Sequence, residues 1–179
     1  MTEERRSHWD SVYKDKAFTA VSWYQEEPQK SLELIARTGI AAGDAIIDAG
    51  GGASTLVDHL LASGYRDLTV LDISDNALEQ TRARLAGRAS RVDWLVSDVT
   101  RFEPQRKYAL WHDRAVLHFL VDADDRKRYM DVVRSAISPG GYLVLATFGP
   151  DGPQKCSGLV TRRYTVDMTA ELLGPGFEL

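Results

Sequence analysis

Ala45-Ile46-Ile47-Asp48-Ala49-Gly50-Gly51-Gly52-Ala53-Ser54 is a short apolar run containing one acid that leads into three consecutive glycines and then, near Ser54, into helical spacing. The run reads as a buried strand, and the glycines let the backbone turn sharply and approach a ligand closely. A helix beginning near Ser54 would point its unpaired N–H groups at whatever fills the loop. A strand, glycine loop and helix in this order cradle a nucleotide or nucleoside. A plain tight turn is the competing reading, and these ten residues alone do not separate the two.

Working outward, strand-like runs at Ala45 to Ala49, Leu68 to Asp72, Val92 to Ser97, Tyr108 to His112 and Tyr142 to Phe148 alternate with helical periods. The helices are expected at Ser54 to Ser63, Asn76 to Leu85 and Asp124 to Ile137. Ser138-Pro139-Gly140-Gly141 ends the last of these and turns the chain into the following strand. Upstream, Pro28 to Thr38 carries Leu32, Ile35 and Ala36 at helical spacing and closes on Gly39, and Trp9, Val12 and Tyr13 mark another helix. Alternation of this kind predicts an α/β fold, a Rossmann-like three-layer sandwich with helices on both faces of a mainly parallel sheet.

With 179 residues the chain suits one domain. The expected parts are an N-terminal helical lid (1–40), a core (41–150) and a C-terminal helix with a shortened end (151–179). A content of 44% hydrophobic and 27% charged residues is that of a soluble globular protein, and the net charge of −4 argues against a nucleic-acid partner. No apolar run is long enough to span a bilayer, and the charged start Met1-Thr2-Glu3-Glu4-Arg5-Arg6 leads into no signal core. No membrane partner and a cytoplasmic location are therefore expected. Cys156, the single cysteine, rules out an internal disulfide and multi-cysteine metal sites and reads as inert packing. Arg126-Lys127-Arg128, close behind Asp122, Asp124 and Asp125, reads as a solvated helix start.

Beyond the glycine loop, Asp72 ends the second strand about 20 residues downstream, where an acid can hold ribose hydroxyls. Two charge-assisted hydrogen bonds to a vicinal diol would contribute roughly 1.5–3 kcal/mol each. The simpler alternative is a cap, because Asp72 or Ser74 could start the next helix. Ser97-Asp98-Val99 places another acid at the end of the third strand, and in an open parallel sheet such ends share one crevice.

Asp48-Ala49-Gly50-Gly51-Gly52, Asp72, Ser97-Asp98-Val99, Asp113 and Ser138-Pro139-Gly140-Gly141, in this order, resemble a class I S-adenosylmethionine-dependent methyltransferase from about Trp9 to Phe148. The resemblance implies S-adenosylmethionine as cofactor and S-adenosylhomocysteine as product. By the same resemblance, Asp48, Ala49 and Gly50 to Gly52 surround the methionine portion. Asp72, with Ile73 and Ser74, serves the ribose, and Ser97, Asp98 and Val99 serve the adenine. Trp23, Asp113 and Arg114 complete the implied cofactor set. Ala53 and Ser54 stand where a further glycine commonly lies, which leaves the loop path open. A nicotinamide-dependent oxidoreductase shares the glycine loop and the ribose acid. Asp48 counts against it, since a carboxylate there would repel a pyrophosphate and suits a ligand bearing an ammonium and a sulfonium.

Methyl transfer from a sulfonium needs in-line positioning more than a covalent residue. The stretch Trp111 to Phe119 at the end of the fourth strand faces the methyl group in the resembling family. Within it, His118 is the candidate proton acceptor, with a structural histidine as the alternative; His112 ranks below it because it precedes the strand end. The two histidines lack ligand spacing and no metal is expected. Trp23 and Tyr24, in Val21-Ser22-Trp23-Tyr24-Gln25, are expected to shield the sulfonium or substrate as part of a lid, with core packing as the rival explanation and the favoured one for Trp9 and Trp94.

A methyltransferase of this class ends with a helix and two more strands. Here Tyr164 to Leu173 supplies the helix, and the final hairpin is expected to be missing. That leaves the fifth strand with an open edge. The expectation is either a homodimer through that edge or a destabilised, truncated domain. A small-molecule acceptor fits the acidic chain and short aromatic lid, and a protein side chain remains open. A non-catalytic S-adenosylmethionine-binding module is the alternative to an enzyme.

Overall fold

A computed structural model describes residues 2–15 and 18–179 of the chain. Its central sheet has five strands, β1 (Ile46–Ala49), β2 (Leu68–Asp72), β3 (Val92–Val96), β4 (Tyr108–Arg114) and β5 (Ile137–Ala146), in the order β3-β2-β1-β4-β5. All four pairings are parallel. The chain builds outward from β1 through β2 to β3, then crosses to β4 on the other side. The reversal creates a crevice at the carboxyl ends of β1 and β4.

Period-two alternation along the buried strands divides the core. Ile46, Leu68, Val70 and Leu110 point to one face, covered by α2 (Gln29–Thr38), α3 (Leu56–Ala62) and α4 (Asp75–Leu85). Ile47, Leu71 and Trp111 point to the other, covered by α5 (Ala123–Ala136) and α6 (Val166–Leu173). The three-layer α/β expectation therefore holds. Gly39 closes α2 in a left-handed conformation, Ser74 caps α4 and Asp122 caps α5.

Several boundaries move. The helix after the glycine loop starts at Leu56, two residues beyond Ser54, and has only seven residues. Ser138-Pro139-Gly140-Gly141 does not sit between helix and strand: β5 begins at Ile137, opposite Tyr108, and resumes with Tyr142 opposite Leu110. The four residues between them bulge from the ladder, with Gly140 at φ +74. Helix α2 is not lid, since Ile35 is buried with Ile46, Leu56 and Val144 in the sheet core. Of the segment expected as lid, α1 (Thr2–Asp15) and the stretch around Trp23 border the cavity, and residues 1, 16 and 17 lie outside the described residues.

The Gly- and Pro-rich stretch Gly149 to Gly158 follows β5. It leads into a small antiparallel hairpin, β6 (Lys155–Cys156) and β7 (Leu159–Val160), turning at Ser157 and Gly158, both at positive φ. This hairpin does not join the main sheet, and β5 is its outer strand among the described residues. No helix among the described residues is long and apolar enough to cross a membrane.

Candidate functional site

The carboxyl ends of the five strands open into one cavity of about 980 Å³. That volume is at the upper end for small-molecule sites. Its floor is the glycine loop, and the loop has no space for side chains. A Cβ at Gly50 would lie 2.0 Å from Val116 Cγ2, one at Gly51 2.4 Å from Asp48 Oδ2, and one at Gly52 2.5 Å from Asp72 Oδ2. Two of the strand-end acids thus lie directly against the loop.

Asp48 sits on β1 opposite His112 of β4, and the histidine Nδ1 is 2.7 Å from Asp48 Oδ1. The Nε2 of the same ring is 2.9 Å from Ser31 Oγ on α2. The ring thereby bridges the Asp48 carboxylate on one side and the Ser31 hydroxyl on the other. Asp72 accepts the Ser74 amide at 2.8 Å. Burial raises its pKa to about 7, with the nearby Asp48 and Asp10 acting in the same direction and the Ser74 and Ile73 amides opposing. Asp98 uses Oδ1 to accept the Thr100 amide and hydroxyl at 2.9 and 2.7 Å, while its buried Oδ2 has no hydrogen-bond partner. Arg5 Nη1 stands 3.8 Å from that oxygen, and the Arg5 guanidinium is hydrogen-bonded instead to Asp125.

Helix α1 closes the mouth. Ser74 Oγ donates to Asp10 at 2.6 Å and Asn76 donates to the Asp10 carbonyl at 3.0 Å, fixing the helix to α4. Its inner face carries Trp9 and Tyr13. Trp9 meets Trp23 edge-on at 5.9 Å and Phe119 at 5.0 Å, and Trp23 Nε1 donates to the Tyr13 hydroxyl at 3.2 Å. Thr55 Oγ1 donates to the Gln25 carbonyl at 2.8 Å, tying the Trp23 segment to the start of α3.

Of the residues picked out from sequence, Trp23, Asp48, Gly50, Gly51, Asp72, Ile73, Ser97, Asp98, Val99, Arg114 and His118 line this cavity. Four others do not. Ala49 points into the opposite core, Gly52 lies beneath Asp72, and Ser74 is a fully buried cap of α4. Asp113 is fully buried too: it accepts the Val116 and Leu117 amides at 2.8 and 3.2 Å and the Tyr129 hydroxyl at 2.6 Å. It braces the turn after β4 and does not face a ligand. Burial lifts its pKa to about 6 against the three donors that lower it.

His118 is 1% exposed, stacked on Phe148 at 4.2 Å and 12°, and neither ring nitrogen has a partner. Burial alone lowers its pKa to about 4, so the ring is in its free-base form at neutral pH. It is not the backbone-bonded structural histidine of the alternative reading. Arg114, half-buried, donates to the Trp23 carbonyl at 3.3 Å. The next residue, Ala115, lies in the cavity wall at φ +82, a conformation costly for a non-glycine residue.

Sequence reasoning missed His112 as the support of Asp48, the hairpin as a cavity wall, and the cavity-lining positions of Tyr13 and Trp9, the latter also packing against the core as expected. The i, i+4 aromatic pair Trp9 and Tyr13 was a usable signal for the last. Trp94 packs in the core as expected and donates to the Ala89 carbonyl at 3.0 Å.

A family model described as a methyltransferase domain matches residues 47–143. Over 139 residues the chain is 26% identical to the eEF1A lysine and N-terminal methyltransferase of Bos taurus, covering 76% of this chain and 19% of that protein. Over 118 residues it is 30% identical to Nodulation protein S of Rhizobium tropici, covering 65% of this chain and 48% of that protein. The chain therefore spans about half or less of the length of these curated relatives. Among solved structures, Burkholderia thailandensis 1,6-didemethyltoxoflavin-N1-methyltransferase, with 1,6-didemethyltoxoflavin and S-adenosylhomocysteine bound, aligns with a TM-score of 0.74 at 24% identity. That alignment covers 94% of this chain and 73% of the other. The glycopeptide N-methyltransferase MtfA complexed with sinefungin aligns at 0.58 and 23%, over 69% of this chain and 55% of the other.

Proposed function

Since the chain belongs to the class I S-adenosylmethionine-dependent methyltransferase family, we propose that it transfers a methyl group from S-adenosylmethionine to a small-molecule acceptor by in-line displacement, releasing S-adenosylhomocysteine. The observation that carries this reading is the buried Asp98 Oδ2, which accepts no hydrogen bond and has only Arg5 at 3.8 Å, in a cavity that also receives Asp48 and Asp72. A buried carboxylate oxygen without a hydrogen bond costs free energy that an amino donor such as that of adenine would recover. A floor without room for any Cβ is likewise suited to a ligand lying on the backbone.

In this reading Asp48 and the backbone of Gly50 and Gly51 hold the methionine portion, and Asp72, flanked by Ile73, accepts the ribose hydroxyls. Ser97, Asp98 and Val99 hold the adenine, while Trp23 closes over the site and Arg114 anchors the Trp23 segment. S-adenosylmethionine supplies a methyl group already activated by its sulfonium. What the chain contributes is orientation, potentially roughly 7–11 kcal/mol of the barrier, and exclusion of water by the aromatic lid. His118, as a free base of low pKa, can take a proton only from a weakly basic acceptor.

A small molecule suits a cavity roofed by α1 and walled by the hairpin. Calorimetry with S-adenosylhomocysteine, followed by assay of its formation from S-adenosylmethionine across an acceptor panel, tests the proposal. Binding without turnover on any acceptor would leave a cofactor-binding module instead, and absence of binding would remove both. We also propose that two copies pair through the free edge of β5; light scattering is expected to give twice the chain mass, and a monomer would refute it.

A further inference from the structure

The acids that line the cavity are grouped on one side, with Arg5 beside Asp98 as the cation among them. Asp48, Asp72 and Asp98 all lie at the ends of β1, β2 and β3. The lining of the other half, from β4, β5 and the hairpin, includes Val116, His118, Phe119, Phe148, Leu159 and Val160, and among the described residues that line the cavity these elements contribute no carboxylate. Its formal charges are Arg114 and Lys155, both cationic. Lys155 is exposed on β6 at the rim and has no ion pair among the described residues. Of the acids near these segments in sequence, Asp122 caps α5 and Asp151 is exposed, neither lining the cavity, and Asp113 is fully buried with its oxygens taken by Val116, Leu117 and Tyr129.

This half is also aromatic. Phe148 stacks on His118, while Phe119 is tilted against the same imidazole at 4.4 Å and meets Trp9 edge-on at 5.0 Å. Such a cluster presents both ring faces and ring edges to a planar ligand. An aliphatic ammonium would find no anion to pair with, and it must lose a proton, at a pKa near 10.4, before it can attack. No group here can draw that proton. His118 has a pKa of about 4, the Cys156 thiol is pushed up by burial, and the two cations repel an ammonium.

We propose that this half binds a flat aromatic acceptor that is neutral or anionic, with its methyl-receiving lone pair already free, and that it excludes ammonium-bearing acceptors, lysine side chains included. Lys155 then pairs with the acceptor's negative charge at the rim. The acceptor's lone pair forms the bond to the methyl carbon while the carbon–sulfur bond breaks, its electron pair remaining on sulfur. An anionic acceptor ends one unit less negative. A neutral ring N–H acceptor becomes a strongly acidic cation and passes its proton to His118 or water. This inference rests on the methyltransferase reading above and deepens it.

The test begins with calorimetric confirmation that the full chain binds S-adenosylhomocysteine. Ligand-observed NMR in its presence then compares quinoline, quinoline-carboxylate and aminomethyl-quinoline, and transfer of labelled methyl from S-adenosylmethionine is measured on a lysine-containing peptide. The expected result is at least tenfold tighter binding of the neutral and anionic rings than of the ammonium, with no label on the peptide. Lys155→Glu is expected to weaken the carboxylate about tenfold while S-adenosylhomocysteine binding is unchanged. Equal binding of the ammonium, label on the peptide, or no ring binding by a chain that holds S-adenosylhomocysteine would overturn the inference and leave the methyltransferase reading standing. Failure to bind S-adenosylhomocysteine would instead defeat the earlier reading.

Discussion

Asp48 and His112 face each other across adjacent strands, with His112 Nδ1 2.7 Å from the carboxylate and Ser31 of α2 holding the other side of the ring. The register of β1 with β4 thus decides which way the first strand-end acid points.

Breaking that support should cost affinity. His112→Leu removes a hydrogen bond to a charged group, roughly 1.5–3 kcal/mol, so S-adenosylhomocysteine affinity is expected to fall about ten- to a hundredfold by calorimetry. Ser31→Ala loses only the neutral bond behind the ring and is expected to cost less.

The glycine floor gives a graded prediction. Gly51→Ala drives a methyl into Asp48 and Val70 and is expected to abolish measurable cofactor binding. Gly87→Ala, where nothing lies within 4 Å and φ is not positive, should leave binding and melting temperature unchanged.

Asp72, with its pKa raised to about 7, makes the ligand-free fold pH-sensitive. Between about 4 and 7 the folded chain keeps a proton that the unfolded chain has lost, so the contribution of this group to stability is full below about 4 and declines towards pH 7. Asp113, raised to about 6, acts in the same sense, and His118, lowered to about 4, in the opposite sense below about 6.5. Thermal melts of Asp72→Asn are therefore expected to gain on the parent chain as pH rises from 4 to 7. Hydroxyl donors on the ligand favour the carboxylate, so binding near pH 6.5 should release a proton, visible as a dependence of calorimetric heat on buffer ionisation.

The lid predicts a coupled loss. Trp23→Ala removes a ring that meets Trp9 and Tyr13. S-adenosylmethionine affinity is expected to fall several-fold, in line with roughly 0.5–2 kcal/mol for a ring near a cation, and turnover to fall with it. Unchanged affinity and turnover would show that the aromatic cluster is packing only.

Much of the fold could be read from the chain because parallel strands buried on both faces must be apolar and their helices must repeat at 3.6 residues. Leu68 to Asp72 was located to the residue, and α2 was bounded by Pro28 and Gly39. The bulge at Ser138 to Gly141 was not legible, because Pro and Gly signal a break without saying whether the ladder resumes. The hairpin at Lys155 to Val160 was hidden for a similar reason: two-residue strands carry no period.

For the site, sequence alone determined the glycine loop and the acids at the ends of successive strands, since backbone clearance and a strand terminus are local properties. It could not distinguish an acid facing the cavity from one turned inward. Asp48 and Asp98 line the crevice, while Asp113, at a similar strand end, is claimed by Tyr129 and two amides. Nor could it show that His112 outranks its sequence position or that, among the described residues lining the cavity, β4, β5 and the hairpin contribute no acid. Only tertiary structure decided these, because each depends on which side chains from distant segments arrive within hydrogen-bond reach, and that is set by strand register and by α1 folding across the mouth.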